Sequence, residues 1–261
     1  MGEVLEAAYR RWFPDHSLGA LMEGATRAEL AELFHTTFTY LLDACRKPEE
    51  RKLESVFGRL VEKGWADADI LEDMHRYLLT FRLFDEARAF RREHPDQGLP
   101  APPPIVPLSS TPADNARTVL RFINHGFALE RQAIDLRSTA TVLVIGHPQC
   151  HFSQDAVAAI AADPELSRAM SAAAIWLADP FTSLTDGVIE GWNREHPAYA
   201  YRYVEYQSDW PEVNYWGTPT FYFMKDGRLI KKVVGWPNDS AEERKEALRA
   251  GLRAIDAWVE Q

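Results

Sequence analysis

Cys150 sits in the segment Ile145-Gly146-His147-Pro148-Gln149-Cys150-His151-Phe152-Ser153, where strand character gives way to helix. A helix N-terminus offers free N–H groups and about half a positive charge. Both favour the thiolate, the nucleophilic form of cysteine. Ser153 lies three residues on and can point its hydroxyl at that sulfur. His151 either raises thiolate character or stays exposed in the loop. His147, Cys150 and His151 are residue types that ligate zinc or copper, but no fourth ligand is evident, so no metal is expected. A second segment, Gly217-Thr218-Pro219-Thr220, leads directly into a strand. Proline there needs a special reason, such as a cis peptide at the strand entrance. Trp216 and Trp236 flank this loop and the next turn. They read as lining a peptide groove, with plain packing as the alternative. Asp209 and Glu212 read as members of a solvated loop, and Cys45, on a helical apolar stripe, reads as core. The sequence holds no Gly-x-x-x-x-Gly-Lys phosphate loop, no His-Glu-x-x-His and no Gly-x-Ser-x-Gly elbow.

The elements that must position these residues change character along the chain. Residues 1–94 read as successive helices. Thr26-Arg27-Ala28-Glu29 fits a capping box, and Leu30, Phe34, Phe38, Leu41 and Cys45 then recur at helical spacing. Pro48 suits a first helical position. Leu53, Val56, Phe57, Leu60 and Val61 form the next stripe, ended by Lys63-Gly64. Asp67 can cap a helix bearing Leu71, Met74 and Leu78, and Phe84, Ala87 and Phe90 lie on a last one before Pro95. Residues 95–115 are rich in proline and should run extended and fairly stiff, as a linker or a strap laid across the second domain.

From residue 116 the period shifts. Two apolar stretches, 118–123 and 127–134, flank Asn124-His125-Gly126 as a hairpin. Thr141-Val142-Leu143-Val144-Ile145 has the uninterrupted apolar character of a strand buried on both faces. A helix begins at about Cys150, with Val157 and Ile160 inward. Strands are expected at 174–177 and 201–206, with a helix over Leu184, Val188, Ile189 and Trp192 between them. Residues 221–234 read as a hairpin over Asp226-Gly227. Ser240 caps a last amphipathic helix bearing Leu248, Leu252, Ile255 and Val259. Alternating strands and helices imply an α/β sheet.

Composition narrows the class. The chain has 261 residues, 46% hydrophobic and 26% charged, which suits one or two ordinary globular domains. No run approaches the length of a membrane-spanning helix. The net charge is −10, and neither half has a basic surplus. This disfavours nucleic acid and anionic membrane surfaces as partners. There are only two cysteines, and Met1-Gly2-Glu3-Val4-Leu5-Glu6 lacks the basic and apolar regions of a secretion signal. The expected compartment is the reducing cytoplasm, with both cysteines free.

Residues 116–261 resemble the thioredoxin superfamily. The resemblance rests on the strand–Cys-x-x-Ser–helix unit, on Gly217-Thr218-Pro219-Thr220-Phe221-Tyr222-Phe223-Met224-Lys225-Asp226-Gly227, and on Gly235 after the last strand. It implies an α/β thioredoxin-like domain, a central mixed sheet flanked by helices, preceded by an all-α domain. It also implies that Pro219 is cis and packs beside the active cysteine, and that Thr218 offers backbone hydrogen bonds to an extended peptide. The interval from Cys150 to Pro219 leaves room for an extra helix and strand over 182–206, as in the larger thioredoxin-like reductases. Residues 65–95 resemble one tetratricopeptide-type helix pair, although no second copy occurs at a period of 34.

Three departures from the thioredoxin pattern shape the expected chemistry. Ser153 stands where a second cysteine would be. Gly146 and Gln149 stand in place of flanking tryptophans, and Val144 in place of a buried acid. A Cys-x-x-Ser site cannot close a disulfide on itself, so it stops at a mixed disulfide or needs an outside thiol. The resemblance therefore implies a monothiol thiol–disulfide oxidoreductase acting on a protein or small thiol client. Cys150 would be nucleophile and Ser153 its hydrogen-bond partner, with Thr218, Pro219, His151, Phe152 and Trp216 shaping the substrate groove. No resident cofactor is expected; glutathione would enter as co-substrate. The rival reading is a non-catalytic interaction module, an adaptor or chaperone-like binder in which Cys150 is inert.

Overall fold

The computed structural model describes residues 18–44, 50–108, 116–123, 126–137, 140–236 and 240–258. Cys45, Pro48, Asn124, His125 and Val259 lie outside them. The protein is a mixed α/β structure that divides into two compact units, Met1–Pro102 and Pro103–Gln261.

The elements described in the first unit are helices and one 3-10 turn, and no strand is described there. The helices are α1 (Leu18–Gly24), α2 (Arg27–Ala44), α3 (Glu50–Glu62), α4 (Ala68–Thr80) and α5 (Phe84–Glu93), with a 3-10 turn after them at Pro95–Gln97. At the start of α2 the Glu29 N–H donates to Thr26 Oγ1 (3.3 Å), and the Glu29 carboxylate accepts from the Thr26 N–H (2.8 Å). This reciprocal pair satisfies two of the donors that a helix start leaves free. Asp67 Oδ1 accepts from the Ile70 N–H (3.2 Å) and starts α4 in the same way. Leu30, Phe34, Leu41, Leu53, Val56, Leu60, Ile70 and Ala87 are fully buried. Phe57 bridges Phe34 and Phe90 through ring contacts at 6.2 and 5.6 Å.

Within this core lies a polar exception. His75 is 1% exposed, stacks on Phe90 at 6.2 Å, and its Nε2 has no hydrogen-bond partner. Burial, reinforced by the charge of Arg91, holds the imidazole below its ordinary 6.5. Its protonated form is thus favoured by the unfolded chain, which binds more protons as the pH falls below about 6.5. Stability contributed here is complete above that value and declines below it, until the folded-state value is also passed. Urea unfolding across about pH 5–7.5 should show this loss in the wild-type chain. A His75→Phe chain should show a shallower dependence over the same range.

The second unit is one eight-stranded sheet. Its strands are β1 (Ile105–Val106), β2 (Arg117–Ile123), β3 (Ala128–Ile134), β4 (Thr141–Gly146), β5 (Ala174–Ala178), β6 (Tyr201–Val204), β7 (Thr220–Lys225) and β8 (Arg228–Val234). They lie in the order β1-β3-β2-β6-β5-β4-β7-β8. β4, β5 and β6 run parallel; β7 is antiparallel to β4, β8 to β7, and β2 to both β3 and β6. Ile105 and Val106, from the proline-rich stretch, pair in parallel with Leu129 and Glu130, so part of that stretch adds a strand to the sheet edge. All six residues of β4 are buried, as a strand with neighbours on both sides and layers on both faces requires. The β7–β8 turn has positive φ at Asp226 (51°) and Gly227 (74°), the twist that a two-residue hairpin turn needs.

The helices are α6 (His151–Ala161), α7 (Pro164–Ala173), α8 (Val188–Glu195) and α9 (Ala241–Ala254). α9 packs on β7 and β8 and against α6 and α7. Gly251 lies directly on the Phe223 ring, so odd-numbered β7 residues face α9. Tyr222 and Met224 point the other way, into a cluster with Val119, Ile134, Leu143, Ile145, Leu177 and Val204. There the cover is the β6–β7 connection, through Trp210, Val213 and Trp216.

Four elements differ from the sequence expectation, the first being α9, which Ser240 precedes without a side-chain cap bond and which ends at Ala254, short of Ile255. The helix expected from Leu184 starts at Val188, after Gly187 in the left-handed region (φ 70°), and Leu184 is a buried loop residue. The strand expected to reach 206 ends at Val204. α7 has no counterpart in that expectation, although Asp163 caps it through the Leu166 N–H (3.1 Å) and Pro164 occupies its first turn.

Candidate functional site

β4 delivers the chain to the thiol. After Gly146 a tight turn brings the Cys150 N–H to the His147 carbonyl (3.0 Å), and Cys150 becomes the N-cap of α6. The Gln149 N–H donates to His147 Nδ1 (3.2 Å) and the Gln154 amide to the Pro148 carbonyl (2.6 Å), which fixes the turn. Ser153 is buried, and its Oγ accepts from the His147 N–H (3.3 Å).

The opposing wall is the loop before β7. The Thr218–Pro219 peptide is cis, and Pro219 is buried. Hydrogen bonds hold the loop on both sides. Thr220 Oγ1 donates to the Gly217 carbonyl (2.6 Å), and the Gly235 N–H donates to the Pro219 carbonyl (2.8 Å). Further back, the Tyr222 hydroxyl accepts from the Tyr215 N–H (2.9 Å) and donates to the Tyr215 carbonyl (2.7 Å). Across the gap the Cys150 thiol donates to the Thr218 carbonyl at 3.6 Å.

The electrostatics at the sulfur oppose one another. Partial burial pushes the Cys150 thiol up. The Thr218 side chain, the Ser153 N–H and hydroxyl, and the Phe152 N–H favour the thiolate and outweigh it, leaving the thiol below its ordinary value. The Thr218 carbonyl is a partner for the thiol alone. Ionisation therefore exchanges one acceptor for several donors.

Of the residues singled out from sequence, Cys150, Ser153, Thr218 and Pro219 meet at this one point. His151 and Phe152 are exposed beside it, with ring centroids 3.8 Å apart. Trp216 is partly buried and packs against the apolar cluster under the loop. Trp236, read as a groove residue, is 2% exposed and packs on Phe221 instead. Glu212, read as solvated, is bound by Arg117 through one bidentate guanidinium edge, Nε and Nη2, with an Nε–Oε2 distance of 3.1 Å and both side chains largely covered. Glu205, 3% exposed in its side chain, is held in the same way by Arg131.

Sequence reasoning passed over Tyr201. Its ring is fully buried, and its hydroxyl reaches the backbone of Gly146 so closely that a Cβ there would lie 2.4 Å from it. The available signal was Gly146 itself. A glycine ending a β-branched run marks the close approach of another group.

No known protein family, curated protein or solved structure matches this chain. Among the described residues no cluster of three or more His, Cys, Asp and Glu side chains could hold a metal ion, and no helix is long and apolar enough to cross a membrane.

With Cys45→Ala leaving one thiol, iodoacetamide alkylation should titrate with a midpoint below the ~8.5 of a free thiol. Ser153→Ala should raise that midpoint by about one unit, because it deletes a hydrogen bond to a charged sulfur.

Proposed function

We propose that residues 116–261 form a thioredoxin-like domain and that Cys150 is a monothiol nucleophile in thiol–disulfide exchange. The observation that carries this reading is the 3.6 Å approach of the Cys150 sulfur, at the start of a helix, to the carbonyl of Thr218 beside cis-Pro219. A mixed sheet in which β4 lies between parallel β5 and antiparallel β7, with β8 antiparallel to β7, supports it. So does the surplus of donors favouring thiolate at the sulfur.

The Cys150 thiolate attacks one sulfur of a client disulfide. A new S–S bond joins Cys150 to the client, and the other client sulfur leaves as a thiolate. Ser153 has no sulfur with which to resolve this species. A second thiol, glutathione in a reducing compartment, attacks the client sulfur, forms a disulfide with it and returns Cys150 as thiolate. Cys150 is neither oxidised nor reduced over the cycle. Exposed Phe152 and His151 and partly covered Trp216 offer contact area for a peptide client. Client selection falls to the helices of the first unit, where α4 and α5, closed by Pro95, resemble a tetratricopeptide pair.

The experiment uses the full chain and a peptide–glutathione mixed disulfide. The Cys45→Ala chain should accelerate exchange with excess glutathione and show an adduct on Cys150 by intact mass. Adding Cys150→Ala should return the rate to background and remove the adduct. Equal exchange with and without Cys150 would sink the proposal and leave a non-catalytic binding module.

A further inference from the structure

A cavity of about 330 Å³ lies between α8, β6 and the end of β2. None of Cys150, Ser153, Thr218 and Pro219 lines it. Its volume is at the small end of the range for small-molecule sites, about 300–1,000 Å³. The apolar wall is Phe122 and Ile123 at the end of β2, and the Tyr203 ring meets Phe122 edge-on at 5.7 Å. The polar wall is α8, which brings Glu190, Asn193 and Arg194 to the cavity at the three- and four-residue spacings that share one helix face. Hydrogen bonds pin α8 in place. The Trp192 indole donates to the Tyr199 carbonyl (3.1 Å). The Asn193 side chain accepts from the Tyr201 N–H (2.7 Å) and donates to the Tyr201 carbonyl (2.9 Å). The Tyr203 hydroxyl, on a side chain fixed in the sheet, donates to Glu190 Oε1 (2.8 Å).

Two features mark this cavity as more than a packing gap. Glu190 and Arg194 stand four residues apart, an order in which an acid and a following cation ordinarily close an ion pair on a helix. Here the pair stays open: neither side chain joins an ion pair among the described residues, and Glu190 turns to Tyr203 instead. The carboxylate is also short of counter-charge. Burial raises the Glu190 carboxyl above its ordinary 4.5, aided by the charge of Asp186, although the Tyr203 hydroxyl and the Arg194 charge pull the other way. A cation at Oε2 would supply what burial withholds. We propose that the cavity binds a free amino acid with an apolar side chain: its ammonium bonds Glu190 Oε2, its carboxylate bonds the Arg194 guanidinium, and its side chain lies against Phe122 and Ile123. A guanidinium fork matches a carboxylate with two parallel N–H donors. An acid and a base on one wall select a zwitterion over either singly charged analogue, and the volume admits about one residue. Nothing in this site depends on the reactivity of Cys150.

The test is calorimetric titration of the full chain with L-phenylalanine as the probe. Saturable binding is expected within about 10 mM. Two analogues separate the charges. N-acetyl-L-phenylalanine lacks the ammonium and stands for a peptide C-terminus. L-phenylalanine amide lacks the carboxylate and stands for a peptide N-terminus. Each should bind about tenfold more weakly, because each leaves one charged hydrogen bond unmade. Glu190→Gln keeps an acceptor for Tyr203. It should weaken L-phenylalanine about tenfold and leave the N-acetyl analogue unaffected. Arg194 is exposed, so Arg194→Gln keeps the fold, and it should weaken L-phenylalanine while leaving the amide unaffected. No saturation overturns the proposal. Equal binding of all three probes also overturns it and leaves an apolar crevice only. An amide that binds as well as the free amino acid overturns it in favour of a peptide N-terminus. Binding that both substitutions leave unchanged puts the probe elsewhere and overturns the site.

Discussion

The second unit is organised around one short approach, Cys150 sulfur to Thr218 carbonyl, made by residues 68 positions apart in the chain. For the two to meet, β4 must end at Gly146 and β7 must begin at Thr220 as its antiparallel neighbour, with Ile145 opposite Thr220. The register of that pair sets the height of both walls. A slip of one residue would turn every side chain of β7 to the other face, putting Tyr222 against α9 and Phe223 under the loop. The full burial of β4 and the split of β7 between two packing layers therefore do more than stabilise the sheet. They fix where a thiol and a carbonyl face each other.

Around that approach the structure assembles polar groups on a sulfur that burial alone would keep neutral. Desolvation is the largest single influence and opposes ionisation, yet four donors together exceed it. Three of them come from the first turn of α6, through Ser153 and Phe152, and one comes from Thr218 across the gap. The site is thus shared between a helix start and a loop, and neither half supplies it alone.

Local chemistry was readable in the sequence and distant pairing was not. The Thr26–Glu29 box, the Asp226-Gly227 turn and the apolar run of β4 each specify their conformation through residues a few positions apart. The junction at Cys150 and the loop at Pro219 stood out for the same reason. α7 escapes notice because only Leu166 and Met170 are buried along its ten residues, despite a clear Asp163-Pro164 start. The Arg117–Glu212 pair joins residues 95 apart, so Glu212 looks like any charged loop residue. Tyr201 looks like an ordinary aromatic of an alternating strand, because what distinguishes it is a glycine on a strand two positions away in the sheet.

The two carboxylates of the β6–β7 connection give the β2–β3 hairpin an unexpected standing. Arg117 and Arg131, one on each of its strands, are the guanidinium partners of Glu212 and Glu205. A buried carboxylate deprived of its counter-charge is strongly destabilising. A chain trimmed to begin at Thr141 would keep the thiol, the proline loop and all three parallel strands. It would nevertheless strand two negative charges within the segment that roofs Tyr222 and leads to Thr218. The smallest autonomous form of this site consequently reaches back to Arg117, well ahead of the strand that carries the cysteine.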